Sequence, residues 1–296
     1  KLTENILITY IFSTKIIIYF FLKDEIIVLL YHGISNNPSE FHKRHNLNVK
    51  PKLLENHIIW LKEYFNIISP LDLTEKKKYK KKSVLFTFDD GDKSVLTDAI
   101  PIMDKYLIPS INFINLSAIY NDKIFWPGLI TYLYDDDKFI SFLNNKKIKI
   151  SGYLEITPKI IELYLKTINS ESLTKKINKY VGNFLTFDDL KAISENKLIY
   201  LGNHLYEHLN AVSISNEIIK DNYNKNNNIL KNFQNYINFY AYPFGKNKIS
   251  YDKRTNEIIN KLNPKAIFLN DGETNNYKNV FYVNRIAMHE RLDSKR

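Results

Sequence analysis

The chain of 296 residues contains no cysteine, which excludes disulfide bonds and metal sites built from thiolates. Any bound metal must therefore be held by His, Asp or Glu. The absence of cysteine fits both the cytoplasm and the cell envelope, so it does not assign a compartment. The sequence also lacks an internal repeat of solenoid length, which argues against an array of stacked repeats.

Acidic residues are in the minority, with 32 Asp and Glu against 42 Lys and Arg and a formal charge of +10. Such a balance favours anionic neighbours: phospholipid head groups, acidic glycans, lipid-linked phosphosugars or nucleic acid. Much of the excess lies in a lysine-rich block at 76–82, which is typical of a solvated loop. No recognised nucleic-acid motif accompanies these lysines, so we expect no specific nucleic-acid partner.

A long uncharged run is missing as well. The apolar stretch at 6–22 is interrupted by Thr9, Ser13, Thr14 and Lys15, whereas a spanning helix needs about 20 nearly uncharged residues. No small-residue cleavage site follows the stretch, which disfavours a signal peptide. We expect residues 1–25 to form an apolar helix that packs on the domain or lies on a membrane surface. The protein would then be peripheral to the membrane at the cell envelope, on a side that the sequence leaves open.

Seven short apolar runs predict strands, at 26–31, 83–88, 110–115, 197–201, 238–242, 265–269 and 281–284. Several are apolar throughout, as expected for strands buried on both faces of a parallel sheet. Helical patterns lie between them, at 53–64, 158–180, 188–195 and 215–236. The alternation predicts an α/β fold, a distorted or incomplete parallel (β/α) barrel over residues 26–296 with a helical insertion around 124–182.

Polar side chains follow the predicted strands, at the end of a barrel where active sites gather. They are His32, Asp89, Asp90, His204, Asp271, Arg285 and His289, and the apolar Pro243 follows the fifth predicted strand.

The motif Thr-Phe-Asp-Asp-Gly at 87–91 places two carboxylates at a strand end, before a glycine that permits a tight turn. Adjacent carboxylates repel each other, and a bound cation would relieve that cost. The alternative is an ordinary surface turn. The same four letters recur at 186–189 without the glycine and before a helical pattern, so there Thr186 or Asp188 is expected to begin a helix.

His204 and His208 are four residues apart, and the chain has only seven histidines. On a helical turn this spacing would put both imidazoles on one face, able to chelate one divalent ion. The alternative is a surface or capping pair. Two imidazoles with one carboxylate would form a three-ligand site with open positions, which is typical of a catalytic metal.

Together with two further segments, these motifs resemble the polysaccharide deacetylases, carbohydrate esterase family four. The segments are Phe-Tyr-Ala-Tyr-Pro-Phe-Gly at 239–245 and Leu-Tyr-His-Gly-Ile at 30–34, the latter similar to the poly-N-acetylglucosamine deacetylase branch. The resemblance implies a divalent metal, usually zinc, held by Asp90, His204 and His208. It also implies that Asp89 is the general base.

The sequence departs from the family pattern in two places. Many relatives carry an arginine two residues before the motif proline, where this chain has Ala241, and Arg285 is the candidate to replace it. The family's Asp-rich motif with tryptophan is not evident, and Asp271 is at best a partial match to it. His289 falls where the resemblance places a late catalytic histidine, the general acid.

Substrate contacts are expected from His32, Tyr242, Pro243 and Trp126. A strand-end histidine such as His32 can line a pocket, or it can be a turn residue bonded to backbone. Aromatic rings can stack on sugar faces, but with 21 Tyr and 18 Phe most of them must belong to the core.

These observations predict an enzyme that uses a divalent metal to hydrolyse the N-acetyl group of an amino sugar, in a cell-surface glycan or its lipid-linked precursor. The alternative is a catalytically inactive glycan-binding module on the same fold. A nucleic-acid binder that exploits the charge is the third possibility, and weak, salt-dependent binding would reduce it to charge attraction.

Overall fold

The computed structural model describes residues 25–75, 82–120, 123–277 and 280–290. The helix predicted within residues 1–25 lies outside these ranges, apart from Glu25, which begins the first strand. No helix in the described ranges is both long enough and apolar enough to cross a membrane.

Each of the seven predicted strands is present. The strands are β1 (Glu25–Tyr31), β2 (Gly33–Ile34), β3 (Asn48–Val49), β4 (Asn66–Ile67), β5 (Ser83–Asp89), β6 (Ser110–Ile114), β7 (Ile199–Asn203), β8 (Tyr236–Ala241), β9 (Ala266–Leu269), β10 (Asn275–Asn276), β11 (Tyr282–Asn284) and β12 (Ile286–Ala287). Every residue of β5 and β9 is buried, as expected for parallel strands covered on both faces. The fourth predicted run is displaced by two residues relative to β7.

The main sheet runs in the order β1-β5-β6-β7-β8-β9-β11, with parallel pairing at each step. After β11 the chain passes through Arg285 into β12, which pairs in parallel with β1, Leu29 opposite Ile286. This second pairing brings the last strand segment back to the first. The sheet is therefore nearly closed into a parallel barrel, which confirms the predicted fold class.

The helices are α1 (Glu40–His45), α2 (Pro51–Tyr64), α3 (Pro70–Thr74), α4 (Ile100–Tyr106), α5 (Leu116–Tyr120), α6 (Trp126–Tyr134), α7 (Asp137–Asn145), α8 (Pro158–Leu165), α9 (Ser170–Val181), α10 (Phe187–Ser194), α11 (Asn216–Leu230) and α12 (Lys253–Lys261). A short 3₁₀ turn (Tyr153–Glu155) lies between α7 and α8. The helical pattern at 158–180 divides into α8 and α9, because the Asn169 side chain accepts a hydrogen bond from the N–H of Glu171 and begins a new helix.

Between β6 and β7 the chain forms helices α5 to α10. Leu129 and Ile130 of α6 and Ile177 of α9 belong to one buried cluster with Leu205 and Leu209, which follow β7. The helices after β6 thus pack against the loop that leaves β7, at the carboxyl end of the barrel.

Candidate metal centre and active site

Two adjacent carboxylates lie where β5 ends. Asp89 is the last residue of β5, and Asp90 and Gly91 both have a backbone φ of 74°. This left-handed region is tolerated by Asp and favours glycine, and a Cβ at position 91 would also lie 3.3 Å from the Ile119 side chain. The turn leaves both carboxylates buried, with 3% of Asp89 and 5% of Asp90 exposed.

The two histidines lie in a loop, so the predicted helical turn is wrong. His204 follows β7 directly, and Leu205 and His208 have φ values of 56° and 54°. The Asn203 side chain accepts a hydrogen bond from the N–H of Leu205 at 3.0 Å and provides a local alternative to helical bonding. The loop still brings the imidazoles together, with ring centroids 4.7 Å apart.

Asp90, His204 and His208 converge on one point. The Asp90 Oδ1 lies 3.4 Å from His204 Nε2 and 3.0 Å from His208 Nε2. One ligand atom from each residue lies within 4.8 Å of the others, and all three residues are buried. Two imidazole nitrogens and a carboxylate oxygen around one point suit a divalent cation such as zinc.

The hydrogen bonding of His204 supports this fit. Its Nδ1 lies 2.9 Å from the carbonyl oxygen of Ala241, and a carbonyl can only accept a hydrogen bond. In the neutral ring the proton is therefore on Nδ1, and the Nε2 lone pair faces Asp90. The backbone at the end of β8 thus orients His204 as a metal ligand would be oriented.

The electrostatics of the three residues agree with a carboxylate beside imidazoles. Burial alone would raise the pKa of Asp90, but the His208 and His204 rings hold it well below its usual range. Burial lowers the pKa of His208, and Asp90 only partly offsets this. For His204 burial also lowers the pKa, but Asp89 and Asp90 outweigh that effect and raise it. Asp90 is therefore ionised and His208 neutral at neutral pH.

Arg285 lies against the second carboxylate. It is 1% exposed, and its two terminal nitrogens donate to the two oxygens of Asp89 at 2.7 and 2.9 Å. Its Nε donates to the carbonyl of Leu269 at 3.1 Å, which fixes the plane of the guanidinium. Arg285, at the β11–β12 junction, is thus the ion-pair partner of Asp89, the role for which the sequence made it the candidate. Asp89 Oδ2 is also 3.6 Å from His204 Nε2, so it lies at the edge of the three-residue cluster.

These side chains line a cleft of about 320 Å³. Seven residues singled out from the sequence contribute to its wall: His32, Asp89, Asp90, His204, His208, Tyr242 and Arg285. The Tyr242 ring is buried, stacks on Tyr251 at 5.0 Å, and donates its hydroxyl to Asn256 at 3.0 Å. Its ring is therefore a fixed part of the wall.

Trp126 and Pro243 are not part of the cleft wall. Trp126 is 7% exposed and packs in the apolar cluster of the helices after β6, because it begins the buried face of α6. Pro243 is buried, and its carbonyl accepts from the N–H of Gly245 at 2.7 Å, which shapes the loop after β8. Neither placement provides the expected contact with substrate.

His289 is also absent from the cleft wall. Its Nδ1 lies 2.7 Å from the carbonyl oxygen of Asn46, which ties the C-terminal segment to the turn after α1. Asp271 bonds to the N–H of Asn247 at 3.2 Å and to the Tyr251 hydroxyl, so it holds loops together. The placement of His289 does not fit the general acid expected from the sequence.

Several cleft residues were missed by sequence reasoning, including Phe41, His45, Tyr153 and Lys246. Lys246 directly follows Gly245 in the loop after β8, and this position at the end of a strand could have indicated a place in the cleft wall. The other three lie on α1 and on the 3₁₀ turn after α7, where only the tertiary fold brings them over the barrel.

Comparison with known proteins identifies sequence relatives of the chain. The sequence profile of the polysaccharide deacetylase family matches residues 76–267, more than half of the chain. The Bacillus subtilis (strain 168) protein YxkH is 38% identical over 84 residues, 27% of this chain and 28% of that protein. The poly-beta-1,6-N-acetyl-D-glucosamine N-deacetylase of Staphylococcus aureus (strain MSSA476) is 36% identical over 73 residues, 23% of this chain and 25% of that enzyme. The matched segments thus span about a quarter of these relatives.

Solved structures share the fold over most of the chain. The Streptococcus pyogenes deacetylase PplD, in complex with acetate, superposes with a TM-score of 0.60 at 18% identity, covering 90% of this chain and 94% of that one. IcaB from Ammonifex degensii gives a TM-score of 0.58 at 16% identity, covering 89% and 91%.

Proposed function

From the premise that this chain belongs to the polysaccharide deacetylase family, we propose that it is a metal-dependent hydrolase of N-acetylated amino sugars. The proposed substrate is an N-acetyl group of a cell-surface glycan or of its lipid-linked precursor, and the products are acetate and the free amine. The proposal rests on one observation: Asp90, His204 and His208 converge on one point. The carboxylate of Asp89, which Arg285 binds, lies beside them.

Asp90, His204 and His208 are the proposed ligands of a divalent cation. Zinc is the proposed metal, because the resemblance to the family implies it and these donor atoms suit it. When bound there, such an ion would supply Lewis acidity toward a water molecule and the acetyl carbonyl. The hydrogen bond from His204 Nδ1 to the carbonyl of Ala241 would hold this ligand in one orientation.

Asp89 is the proposed general base. It would accept a proton from the attacking water, whose oxygen then bonds to the acetyl carbon. Both of its oxygens accept from Arg285, which fixes the carboxylate and leaves further lone pairs for the water.

The N–H of Phe244 is the proposed donor to the developing oxyanion. The neighbouring backbone N–H groups are not available for this role. The N–H of Tyr242 donates to the carbonyl of Phe268, the N–H of Gly245 donates to the carbonyl of Pro243, and Pro243 itself has no N–H. The N–H of Phe244 has no such partner among the described residues, and Phe244 lines the cleft. A preorganised donor of this kind stabilises charge that appears only in the transition state.

His32 is the proposed donor of the proton to the departing nitrogen, in place of His289. It lies in the cleft wall, and burial lowers its pKa to about 4, against the opposing effect of Asp90 and Asp89. His32 would act in its protonated form, which the negative charges of Asp90 and Asp89 favour. The imidazolium would give its proton to the amine as the C–N bond breaks, and the neutral ring would regain a proton from protonated Asp89. Replacing His32 with Gln should lower kcat by about 10²-fold or more, whereas His289→Gln should leave kcat within a few-fold. Equal losses in the two variants would contradict this assignment.

The charge of +10 and the apolar stretch at 6–22 support a peripheral place at the cell envelope, near anionic lipid or glycan. The name of the Staphylococcus aureus relative supports poly-N-acetylglucosamine as the first substrate to test.

The deciding experiment measures acetate released from β-1,6-linked N-acetylglucosamine oligomers by the zinc-loaded protein. We expect turnover that is lost on chelation and restored by the added ion. An inactive glycan-binding module would instead bind the oligomers and release no acetate. Full activity after exhaustive removal of the metal would exclude the proposed mechanism.

A further inference from the structure

The cleft is bordered by five chain segments that lie outside the main-sheet strands β1, β5 to β9 and β11, although the last of them contains β12. They lie at 41–47, 153–155, 244–250, 270–272 and 285–289. Contacts join them in this order, with Asn210 as the bridge between the second and the third. Whether these contacts leave a gap decides how a glycan can enter.

Asn210 bridges the segments at 153–155 and 244–250. Its side-chain amide donates to the carbonyl of Ile249 at 3.1 Å and approaches that of Leu154 at 3.5 Å. Ser213 donates to the same Leu154 carbonyl at 3.2 Å. Asn210 is 3% exposed and lies two residues after His208, while Leu154 and Ile249 both line the cleft. The wall is therefore continuous from the turn at 153–155 to the loop at 244–250.

The opposite side is joined through aromatic and imidazole rings. Tyr153 meets His45 edge to face, with centroids 5.8 Å apart, and His45 in turn contacts Phe41 at 4.8 Å. The next connection is the contact of His289 with the carbonyl of Asn46 at 2.7 Å. These contacts carry the wall from the turn through α1 to the C-terminal segment.

Backbone hydrogen bonds complete the ring. The N–H of Gly272 donates to the carbonyl of Arg285 at 3.1 Å, and the N–H of Asn270 donates to that of Gly245 at 2.7 Å. Together with Asn210, the five segments therefore form an unbroken rim around Asp90, His204 and His208. His289, which has no place in the cleft wall, is one of the ties in this rim.

An internal sugar of a glycan needs a groove that the chain can both enter and leave. An unbroken rim admits ligand from one direction only, and about 320 Å³ is at the small end of the range for ligand pockets, about 300–1,000 Å³. Resting on the proposed deacetylase function, we infer that the cleft is a socket for the terminal sugar of a glycan and that internal sugars are excluded. Tyr153 and Asn210 are the positioning residues that close it.

The test uses the zinc-loaded protein and β-1,6-linked N-acetylglucosamine oligomers, from disaccharide to hexasaccharide. Acetate per chain is measured, and tandem mass spectrometry locates the free amine. We expect one acetate per chain at every length, always from the same end. Release that rises with chain length, or amines at internal positions, would overturn the socket and leave the deacetylase function intact. No acetate from any oligomer would remove the function and the socket together.

Tyr153→Ala tests the rim itself, because it removes the ring that meets His45. We expect this variant to release additional acetate from internal positions of the hexasaccharide. Tyr64→Ala is the matched control, since Tyr64 is 42% exposed on α2 and does not line the cleft. An unchanged positional pattern in Tyr153→Ala would show that the rim does not set the specificity.

Discussion

Residues 87–90 and 186–189 carry the same four side chains in the same order, Thr-Phe-Asp-Asp. The first copy ends β5, and its carboxylates are 3% and 5% exposed, bonded to Arg285 and two histidines. The second begins α10, with Thr186 exposed at the N-cap position and Asp188 exposed in the first turn.

In the second copy the polar groups satisfy each other and the backbone. The Thr186 hydroxyl accepts from the N–H of Asp189 at 3.2 Å, and Asp189 accepts from the N–H of Thr186 at 2.7 Å. This is a capping box, and Lys93 adds an ion pair with Asp189 at 2.5 Å. In the first copy the groups point into a cleft and retain capacity for a ligand. The difference comes from Gly91, which permits the left-handed turn, and from the strand that precedes it.

The largest expected difference between the copies is in catalysis. Asp89→Asn should lower kcat by about 10²–10⁴-fold, because it removes the proposed base. Asp188→Asn makes the same chemical change at the matching position of the second copy and should leave kcat unchanged. Acetate release by both purified, zinc-loaded variants checks this. A fully active Asp89→Asn would mean that the first copy is not catalytic.

The ion pairs of the two copies should differ in stability. Arg285→Met leaves Asp89 as a buried, uncompensated charge and should lower the free energy of unfolding by about 3–5 kcal/mol. Lys93→Met breaks a pair whose lysine side chain is 34% exposed, and about 1 kcal/mol or less is expected. Urea unfolding of both variants gives the comparison. Equal losses of unfolding free energy in the two variants would show that burial of the Arg285–Asp89 pair has no energetic consequence.

Much of this contrast could be predicted from the sequence. The glycine after the first copy and the helical pattern after the second distinguish a strand-end turn from a helix start. The strands were predictable because apolar runs reflect burial on both faces. His204 and His208 were found by spacing, although the reason given, a helical turn, was wrong. Asn203 provides the local hydrogen bond of a loop instead.

Other parts of the site could not be predicted. Whether Trp126 faces a sugar or the core depends on how α6 packs, and nothing local to that residue encodes it. His32 and His289 both follow strands. The pairing of β12 with β1 places His289 in the rim, whereas His32 lies in the cleft. Long-range pairing decides such cases.

A substitution at Gly91 should have a smaller effect, and that effect should fall on metal binding. Gly91→Ala puts a Cβ at φ 74° and 3.3 Å from Ile119, and a left-handed backbone costs an L-residue about 1–2 kcal/mol. The strain should displace Asp90 and weaken zinc binding, which titration calorimetry can measure. Gly152→Ala is the control, because a Cβ there meets nothing within 4 Å. Equal zinc affinity in the two variants would show that the turn does not position Asp90.

The smallest expected effect concerns the second copy alone. Thr186→Ala removes the capping hydroxyl of α10 and should cost about 1 kcal/mol, a fall in Tm of about 2–4 °C. Thr186→Ser retains the hydroxyl and should stay close to the wild type, while both variants keep full deacetylase activity. Thermal unfolding and acetate release are measured on the same samples. Lost activity with unchanged Tm would mean that residues 186–189 serve the reaction, since a helix cap acts on stability and none of these four residues lines the cleft.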